Sequence, residues 1–162
     1  MSLNRPYLTV SLVLPVYNEV GVVEQTHAHL REVVDRLPYN FQIIYVDDGS
    51  RDGTADSLRK IASGDPRVSL LFLSRNFGHQ AALTAGLDAS VSDIVISMDA
   101  DGQHPPEMSP QMLDLINQGY DVVQTQRIDA AQPASFKKWT SGLFYRLLNS
   151  ISGTRILPGA AD

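Results

Sequence analysis

Two carboxylates, Asp99 and Asp101, are separated by one residue and directly follow an apolar run at 93–98. An apolar run of this length bounded by turn residues predicts a buried strand. In open α/β sheets, ligands bind at the carboxyl ends of strands, which is where this pair falls. Like charges held together repel unless a cation neutralises them, and hard divalent cations suit carboxylate oxygens. The pair therefore predicts a metal site, although an isolated Asp-x-Asp also occurs in solvated loops and helix caps.

Three other polar segments also come at the ends of predicted strands: Pro-Val-Tyr-Asn-Glu at 15–19, Asp-Asp-Gly-Ser at 47–50 and Ser-Arg-Asn-Phe-Gly at 74–78. Each has an ordinary interpretation as a turn or a helix cap. Each can also bind part of a ligand. The third, for example, precedes a helix whose backbone N–H groups, with Arg75, can face an anion. His79 is a weaker candidate for a base or a ligand. Four such loops at one edge of a sheet predict a shared site.

The elements that position these loops alternate regularly along the chain. Strands are predicted at 9–16, 41–46, 68–73, 93–98 and 121–125, and helices at 20–36, 54–63, 80–89 and 107–118. Such alternation predicts right-handed βαβ crossovers and a mostly parallel sheet covered on both faces. The expected fold class is therefore a three-layer α/β sandwich.

Length and composition exclude several classes of protein. At 162 residues the chain suits one domain, and it contains no cysteine for a disulfide or a thiolate site. The net charge of −5 argues against non-specific nucleic-acid binding. No apolar stretch approaches the roughly 20 residues of a membrane-spanning helix. We expect a soluble domain over 1–162, truncated at its C-terminus because a glycine-rich segment ends it without a closing element.

Two features lie beyond the last predicted strand, a group of basic residues and an apolar stripe, and each has two possible interpretations. Arg127 and Lys137 can hold phosphates or form a solvated basic face. The stripe within Phe136–Ile151 includes Trp139 and has helical spacing. It suits either a core helix or one lying at a membrane surface.

Together the segments 14–19, 46–54, 74–82 and 98–107 resemble the family 2 glycosyltransferases of the GT-A (Rossmann-like) fold. The resemblance is closest to the branch that moves a sugar from a nucleotide to a polyprenyl phosphate, such as dolichol-phosphate mannose synthases and undecaprenyl-phosphate glucosyltransferases. It covers nearly the whole chain, in order and with matching spacing. It implies a nucleotide sugar and a polyprenyl phosphate as substrates, and Mg²⁺ or Mn²⁺ as cofactor.

The resemblance also implies roles for individual residues. Asp101 is the expected metal ligand, Asp99 is expected near the ribose and diphosphate, and Asp162 matches the acid often proposed as catalytic base. Arg127 and Lys137 are expected to face the acceptor phosphate. The implied substrate-binding set is Pro15, Tyr17, Glu19, Asp48, Gly78, Gln80, Asp99, Gln103, Arg127 and Lys137.

The implied reaction is an inverting displacement, with a uridine donor favoured over GDP-mannose. Full-length members of the branch usually continue into transmembrane helices, so the expected location is the cytoplasmic side of the cell membrane. Two alternatives stay open: a soluble family 2 transferase acting on a glycan hydroxyl, and a nucleotide-sugar-binding fragment without turnover.

The acceptor implied by the resemblance generates a test of Asp162. The second pKa of a phosphate monoester is roughly 6, so the attacking oxygen is already largely ionised and Asp162 has only to orient it. We expect Asp162→Asn to retain much more transferase activity than Asp101→Ala in the full-length enzyme, measured as sugar transfer to polyprenyl phosphate. Equal losses in the two variants would contradict the orienting role.

Overall fold

The computed structural model describes residues 8–102 and 105–125, in which α-helices alternate with parallel strands. The strands are β1 (Thr9–Val16), β2 (Asn40–Asp47), β3 (Val68–Phe72) and β4 (Ile94–Ser97). The helices are α1 (Val23–Val34), α2 (Thr54–Gly64), α3 (His79–Ala89) and α4 (Ser109–Asn117), the last preceded by a 3₁₀ turn at Pro106–Met108. Four of the five predicted strands and all four predicted helices are therefore confirmed.

The sheet has the order β3-β2-β1-β4, and every pairing is parallel. The chain moves from β1 outward through β2 to β3, and then crosses back to place β4 on the other side of β1. The direction of winding therefore reverses between β1 and β4. A crevice forms at such a reversal, outside the carboxyl ends of the two strands.

The core lies on both faces of the central strand β1, because strand side chains alternate between the faces. One face packs against α1, α2 and α4 through Leu12 and Leu14 of β1, Leu30 of α1, Leu58 of α2 and Leu113 of α4. The opposite face packs against α3, where Ala82 contacts a smaller apolar cluster that includes Val13, Ile44 and Val46. The result is the predicted three-layer sandwich.

Helix α3 lies unusually close to the sheet because it presents small residues to it. A Cβ atom on Gly86 would come within 2.4 Å of Val13 Cγ1 and 3.0 Å of Val46 Cγ2. Ala82, four residues earlier, is fully buried on the same side of the helix. This close packing brings the amino end of α3 to the carboxyl ends of β1 and β2.

The prediction of a strand at 121–125 is wrong, because these residues form no strand and Val122 is 83% exposed. Only two adjacent apolar residues occur there between Asp121 and Gln124, which is too short a pattern to bury one face of a strand. Residues up to Tyr120 form one compact unit and those from Asp121 belong to a second. The single domain predicted over 1–162 stays a prediction.

Helix α1 begins three residues later than predicted because Glu19 and Val20 belong to the preceding loop. Their N–H groups donate to Thr54 and Asp52, and residues 20–22 form a turn. In the described part of the chain, no helix is long and apolar enough to cross a membrane.

An ion-pair network around one buried carboxylate joins α1 to the α2–β3 connection. The carboxylate of Asp65, only 2% exposed, accepts hydrogen bonds from Arg67 Nε at 2.9 Å and Arg67 Nη2 at 2.7 Å. Arg31 Nε lies 3.4 Å away, and the ring of His27 on α1 is 3.7 Å away. The hydrogen bonds from Arg67 lower the pKa of Asp65 from 3.8 to about 2.

This lowered pKa predicts a loss of stability in acid. The stabilisation is fully present above the unfolded-state pKa near 4, and it is lost as the pH falls toward 2 because the folded carboxylate must then be protonated. Its size is on the order of 2 kcal/mol. We expect Asp65→Asn to lower the free energy of unfolding at pH 7 and to flatten its dependence on pH between 4 and 2, measured by urea denaturation.

Asp56→Asn is the matched control, because the exposed Asp56 pairs only with Arg59 one turn later in the same helix among the ion pairs of the described residues. We expect its free energy of unfolding at pH 7 to stay within about 0.5 kcal/mol of the parent protein. An Asp65→Asn variant with the parent's full acid dependence would contradict the assignment.

Candidate active site

The carboxyl ends of the strands surround a cleft of about 310 Å³. It lies at the reversal point between β1 and β4. The end of β1, the loops after all four strands and the first half of α3 contribute residues to its lining. The lining residues are Pro15, Val16, Tyr17, Glu19, Asp48, Asn76, His79, Ala82, Asp99, Ala100 and Asp101. All four polar segments identified in the sequence therefore contribute to one cavity, as predicted.

The Asp-x-Asp segment is fixed by its middle residue. Ala100 is 2% exposed and belongs to the main apolar cluster. Its carbonyl oxygen accepts a hydrogen bond of 3.2 Å from the hydroxyl of Thr26, a buried residue of α1. Asp99 and Asp101 flank this anchored residue, and both line the cleft.

Glu19 brings a third carboxylate to the same cavity. Partial burial raises the pKa of Glu19, and the negative charges of Asp101 and Asp52 raise it further. Glu19 and Asp101 both line the cleft, so the two carboxylates form its acidic side together with Asp99. A bound cation would remove the repulsion that raises this pKa.

The donor set fits a hard divalent cation held jointly with a ligand. Asp101 and its neighbour Glu19 offer oxygen donors, which suit Mg²⁺ and Mn²⁺. Among residues 8–102 and 105–125, no group of three or more His, Cys, Asp or Glu side chains could hold a metal ion by itself. Mg²⁺ in proteins is often bound by one or two carboxylates, with substrate phosphates and water completing its shell.

Asp48 serves the cleft in a different way, because it is tied to the backbone. Its carboxylate is 3% exposed and accepts the N–H groups of Phe77 at 2.7 Å and Gly78 at 2.9 Å. The expectation that these N–H groups face an anionic ligand is therefore wrong for Phe77 and Gly78. A carboxylate of the protein already lies at the amino end of α3, where it complements the helix dipole.

The same junction depends on Gly49, whose φ of +71° lies in the left-handed region. A Cβ atom on Gly49 would be 2.5 Å from the carbonyl carbon of Arg75 and 2.7 Å from the backbone nitrogen of Asn76. Only glycine leaves room for the β3–α3 loop to pass this close to the end of β2. The loop then places Asn76 on the cleft.

Comparison with known proteins identifies the family. The profile described as glycosyl transferase family 2 matches residues 11–160. The chain belongs to this family.

Curated relatives in the family match the chain over about half of their own length. The uncharacterized glycosyltransferase YkcC of Bacillus subtilis is 40% identical over 90% of this chain and 45% of that protein. The bactoprenol glucosyl transferase of Shigella phage SfX is 36% identical over 96% of the chain and 51% of that protein. The undecaprenyl-phosphate 4-deoxy-4-formamido-L-arabinose transferase of Pseudomonas syringae is 40% identical over 85% of this chain and 41% of that protein.

Solved structures agree with a GT-A fold. Mannosyl-3-phosphoglycerate synthase from Rubrobacter xylanophilus superimposes with a TM-score of 0.65 at 22% identity, over 86% of this chain and 47% of that one. Glucosyl-3-phosphoglycerate synthase from Mycobacterium tuberculosis has a TM-score of 0.54 and 29% identity, over 69% of this chain and 40% of that one. The latter was solved with Mn²⁺, UDP-glucose and phosphoglyceric acid.

Within this family 2 domain, the structure brings together six of the predicted site residues that it describes. Pro15, Tyr17, Glu19, Asp48 and the Asp99–Asp101 pair line the cleft. Gly78 and Gln80 do not line it, although they adjoin residues that do. The remaining predicted residues, Gln103, Arg127, Lys137 and Asp162, lie outside the described residues, as does the apolar stripe at 136–151.

Two residues of the cleft were missed or given little weight in the sequence analysis. Asn76 lines the cavity, and His79 places Nε2 3.7 Å from Asp99 Oδ1. Both belong to the Arg-Asn-Phe-Gly-His segment, so the motif indicated them. The sequence does not show which side chains of this segment face the cleft, because their orientation depends on the hydrogen bonds between Asp48 and the loop backbone. Arg75 instead stacks on the exposed ring of Phe77, 4.5 Å from its centroid.

Gly49 provides a test of the junction between β2 and the β3–α3 loop. We expect Gly49→Ala to lower the free energy of unfolding by more than about 2 kcal/mol, because the methyl group adds a backbone clash to a strained φ. The measurement is chemical denaturation. Gly64→Ala is the matched control, since no atom lies within 4 Å of its added Cβ, and it should change stability by less than about 1 kcal/mol. Similar losses in the two variants would contradict the close approach.

Proposed function

We propose that this domain transfers a sugar from a nucleoside-diphosphate sugar to a polyprenyl phosphate, with inversion at the anomeric carbon and with a divalent cation. The observation that carries the proposal is the acidic side of the cleft, where Asp99, Asp101 and Glu19 meet at the reversal point of the sheet. A nucleoside diphosphate with its cation complements such a group of carboxylates. The acceptor class is supported by the bactoprenol and undecaprenyl-phosphate transferases among the relatives.

The two sides of the cleft suit different parts of the donor. Tyr17 and Asn76 present an aromatic ring and an amide, which can border and hydrogen-bond a base. Asp99 and Asp101 lie after β4 and suit the ribose and the cation-bound diphosphate. A uridine donor is favoured, in line with the UDP-glucose bound by the mycobacterial relative.

The chemical demand on the protein is to let a diphosphate leave while a second phosphate attacks. Bound Mg²⁺ or Mn²⁺ would neutralise the charge that develops on the leaving diphosphate. Asp101, with Glu19 beside it, would hold that cation, and Asp99 would orient the donor. Arg127 and Lys137 would attract the acceptor phosphate, and Asp162 would orient its attacking oxygen, which needs no general base because it is largely ionised at neutral pH.

A lipid acceptor requires the domain to work at a membrane surface. We place the reaction at the cytoplasmic face of the cell membrane, with the apolar stripe at 136–151 as the contact. Flotation of the protein with anionic vesicles checks this extension, and a Trp139→Ala variant with undiminished flotation would count against the stripe.

Donor binding is the most direct test of the proposed function. We expect UDP-glucose with Mn²⁺ to raise the melting temperature of the protein by several degrees, since a ligand at about 100 times its Kd adds about 2.7 kcal/mol of stability. Asp101→Asn should abolish the part of the shift that depends on Mn²⁺, because a neutral amide is a poor ligand for the cation.

The control is Asp88→Asn, an exposed carboxylate on α3 away from the cleft lining, which should keep the full shift. A panel with GDP-mannose distinguishes the nucleotides. No shift with any nucleotide sugar would contradict donor binding. Transfer to a glycan hydroxyl, but not to undecaprenyl phosphate, would contradict the acceptor.

A further inference from the structure

Residues 50–54, at the end of the β2–α2 connection and the start of α2, have no part in the proposed reaction, yet they hold the backbone of Glu19. The Glu19 N–H group donates to Thr54 Oγ1 at 2.8 Å, and Thr54 Oγ1 donates in turn to Asp52 Oδ1 at 2.6 Å. Thr54 is fully buried, so water cannot replace its hydroxyl. One threonine therefore links the loop after β1 to a carboxylate in the loop after β2.

The neighbours of Glu19 are anchored to the same segment. The N–H group of Asn18 donates to Ser50 Oγ at 2.9 Å, and that of Val20 donates to Asp52 Oδ2 at 3.2 Å. Asn18 has a φ of +56°, a strained conformation for a residue other than glycine. Three successive N–H groups are thus fixed by side chains from one loop, which offsets the cost of the turn.

The carbonyl group of Glu19 is fixed as well. It accepts the N–H groups of Val22 and Val23, both at 3.0 Å, and so starts α1. With hydrogen bonds on both sides of its Cα atom, Glu19 has little backbone freedom. Its side chain lines the cleft within the electrostatic reach of Asp101.

We propose that Thr54 and Asp52 are positioning residues for Glu19: the relay from Glu19 N–H through the Thr54 hydroxyl to Asp52 holds the Glu19 carboxylate in the donor cleft. Neither Thr54 nor Asp52 lines the cleft, so neither is placed to contact a ligand bound there. The inference rests on the proposed function, because it assumes that Glu19 contributes to binding a nucleotide sugar with its cation.

Two variants of Thr54 distinguish the effect of its hydroxyl group from the effect of its volume. Thr54→Val keeps the volume but leaves the Glu19 N–H group without its acceptor, and Asp52 loses the hydroxyl donor while it keeps the N–H groups of Thr54 and Val20. Thr54→Ser keeps both hydrogen bonds. Thr84→Val is the matched control, because the exposed Thr84 hydroxyl donates only to the Gln80 carbonyl of its own helix among the contacts in the described residues.

The affinity for UDP-glucose with Mn²⁺, measured by calorimetry on the intact protein, should fall about tenfold in Thr54→Val. It should stay within about twofold in Thr54→Ser and Thr84→Val. Binding by Thr54→Val that equals the parent's would overturn the proposal. If Thr54→Val does not fold, Asp52→Ala at an exposed position replaces it, because it removes the acceptor of the Thr54 hydroxyl, and unchanged affinity in that variant would overturn the proposal equally.

A double-mutant cycle distinguishes positioning from a merely structural effect. In a Glu19→Gln background, Thr54→Val should weaken binding by less than about twofold further, because the carboxylate that it positions is already gone. A second full tenfold loss would show that Thr54 acts independently of Glu19 and would refute the relay.

Amide hydrogen exchange separates failure of this inference from failure of the proposed function. The Glu19 amide should be protected in the parent and in Thr54→Ser, and it should exchange at least tenfold faster in Thr54→Val. A parent protein that protects this amide but binds no nucleotide sugar would contradict the proposed function alone. A Glu19 amide that exchanges equally fast in all three proteins would contradict the relay.

Discussion

The buried carboxylate of Asp48 is the interaction on which the geometry of the cleft depends. Parallel strands place four loops at one edge of the sheet, but their nearness does not fix how those loops are oriented. Asp48 fixes one of them by accepting N–H groups of Phe77 and Gly78 at the start of α3. Because Gly49 allows the backbone of Arg75 and Asn76 to pass at close range, the loop after β3 follows the end of β2. The positions of Asn76 and His79 follow from this junction.

A second constraint is the repulsion among acids gathered at one edge. Asp47, Asp48 and Asp52 relieve it by accepting backbone N–H groups, those of Ser50, Phe77 and Thr54 among them. These carboxylates are thereby used to build the loops. Glu19 differs, because burial and two neighbouring carboxylates raise its pKa. The loops around the cleft therefore contain acids with structural roles beside acids that favour a cation.

Much of this arrangement could be predicted from the sequence, because the spacing of apolar residues and the turn residues between apolar runs determine where the strands and helices form. The strands at 9–16 and 68–72, and the helix at 54–64, agree with the predicted bounds to within one residue. The buried face of α1 also has helical spacing in the sequence, through Val23, His27, Leu30 and Val34. The edge of the sheet that holds the site also follows, since ligands bind at the carboxyl ends of parallel strands.

The division of roles among the acids could not be predicted, because it depends on hydrogen bonds between loops that are distant in the chain. In the sequence, Asp48 and Asp101 both follow strands and look equivalent. In the structure, Asp48 is committed to backbone donors 29 and 30 residues away, whereas Asp101 adds charge beside Glu19. The repulsion around Glu19 costs free energy in the folded state, and a cation bound there would recover it. Cation affinity in this domain is therefore coupled to how firmly the loops hold Glu19 against its neighbours.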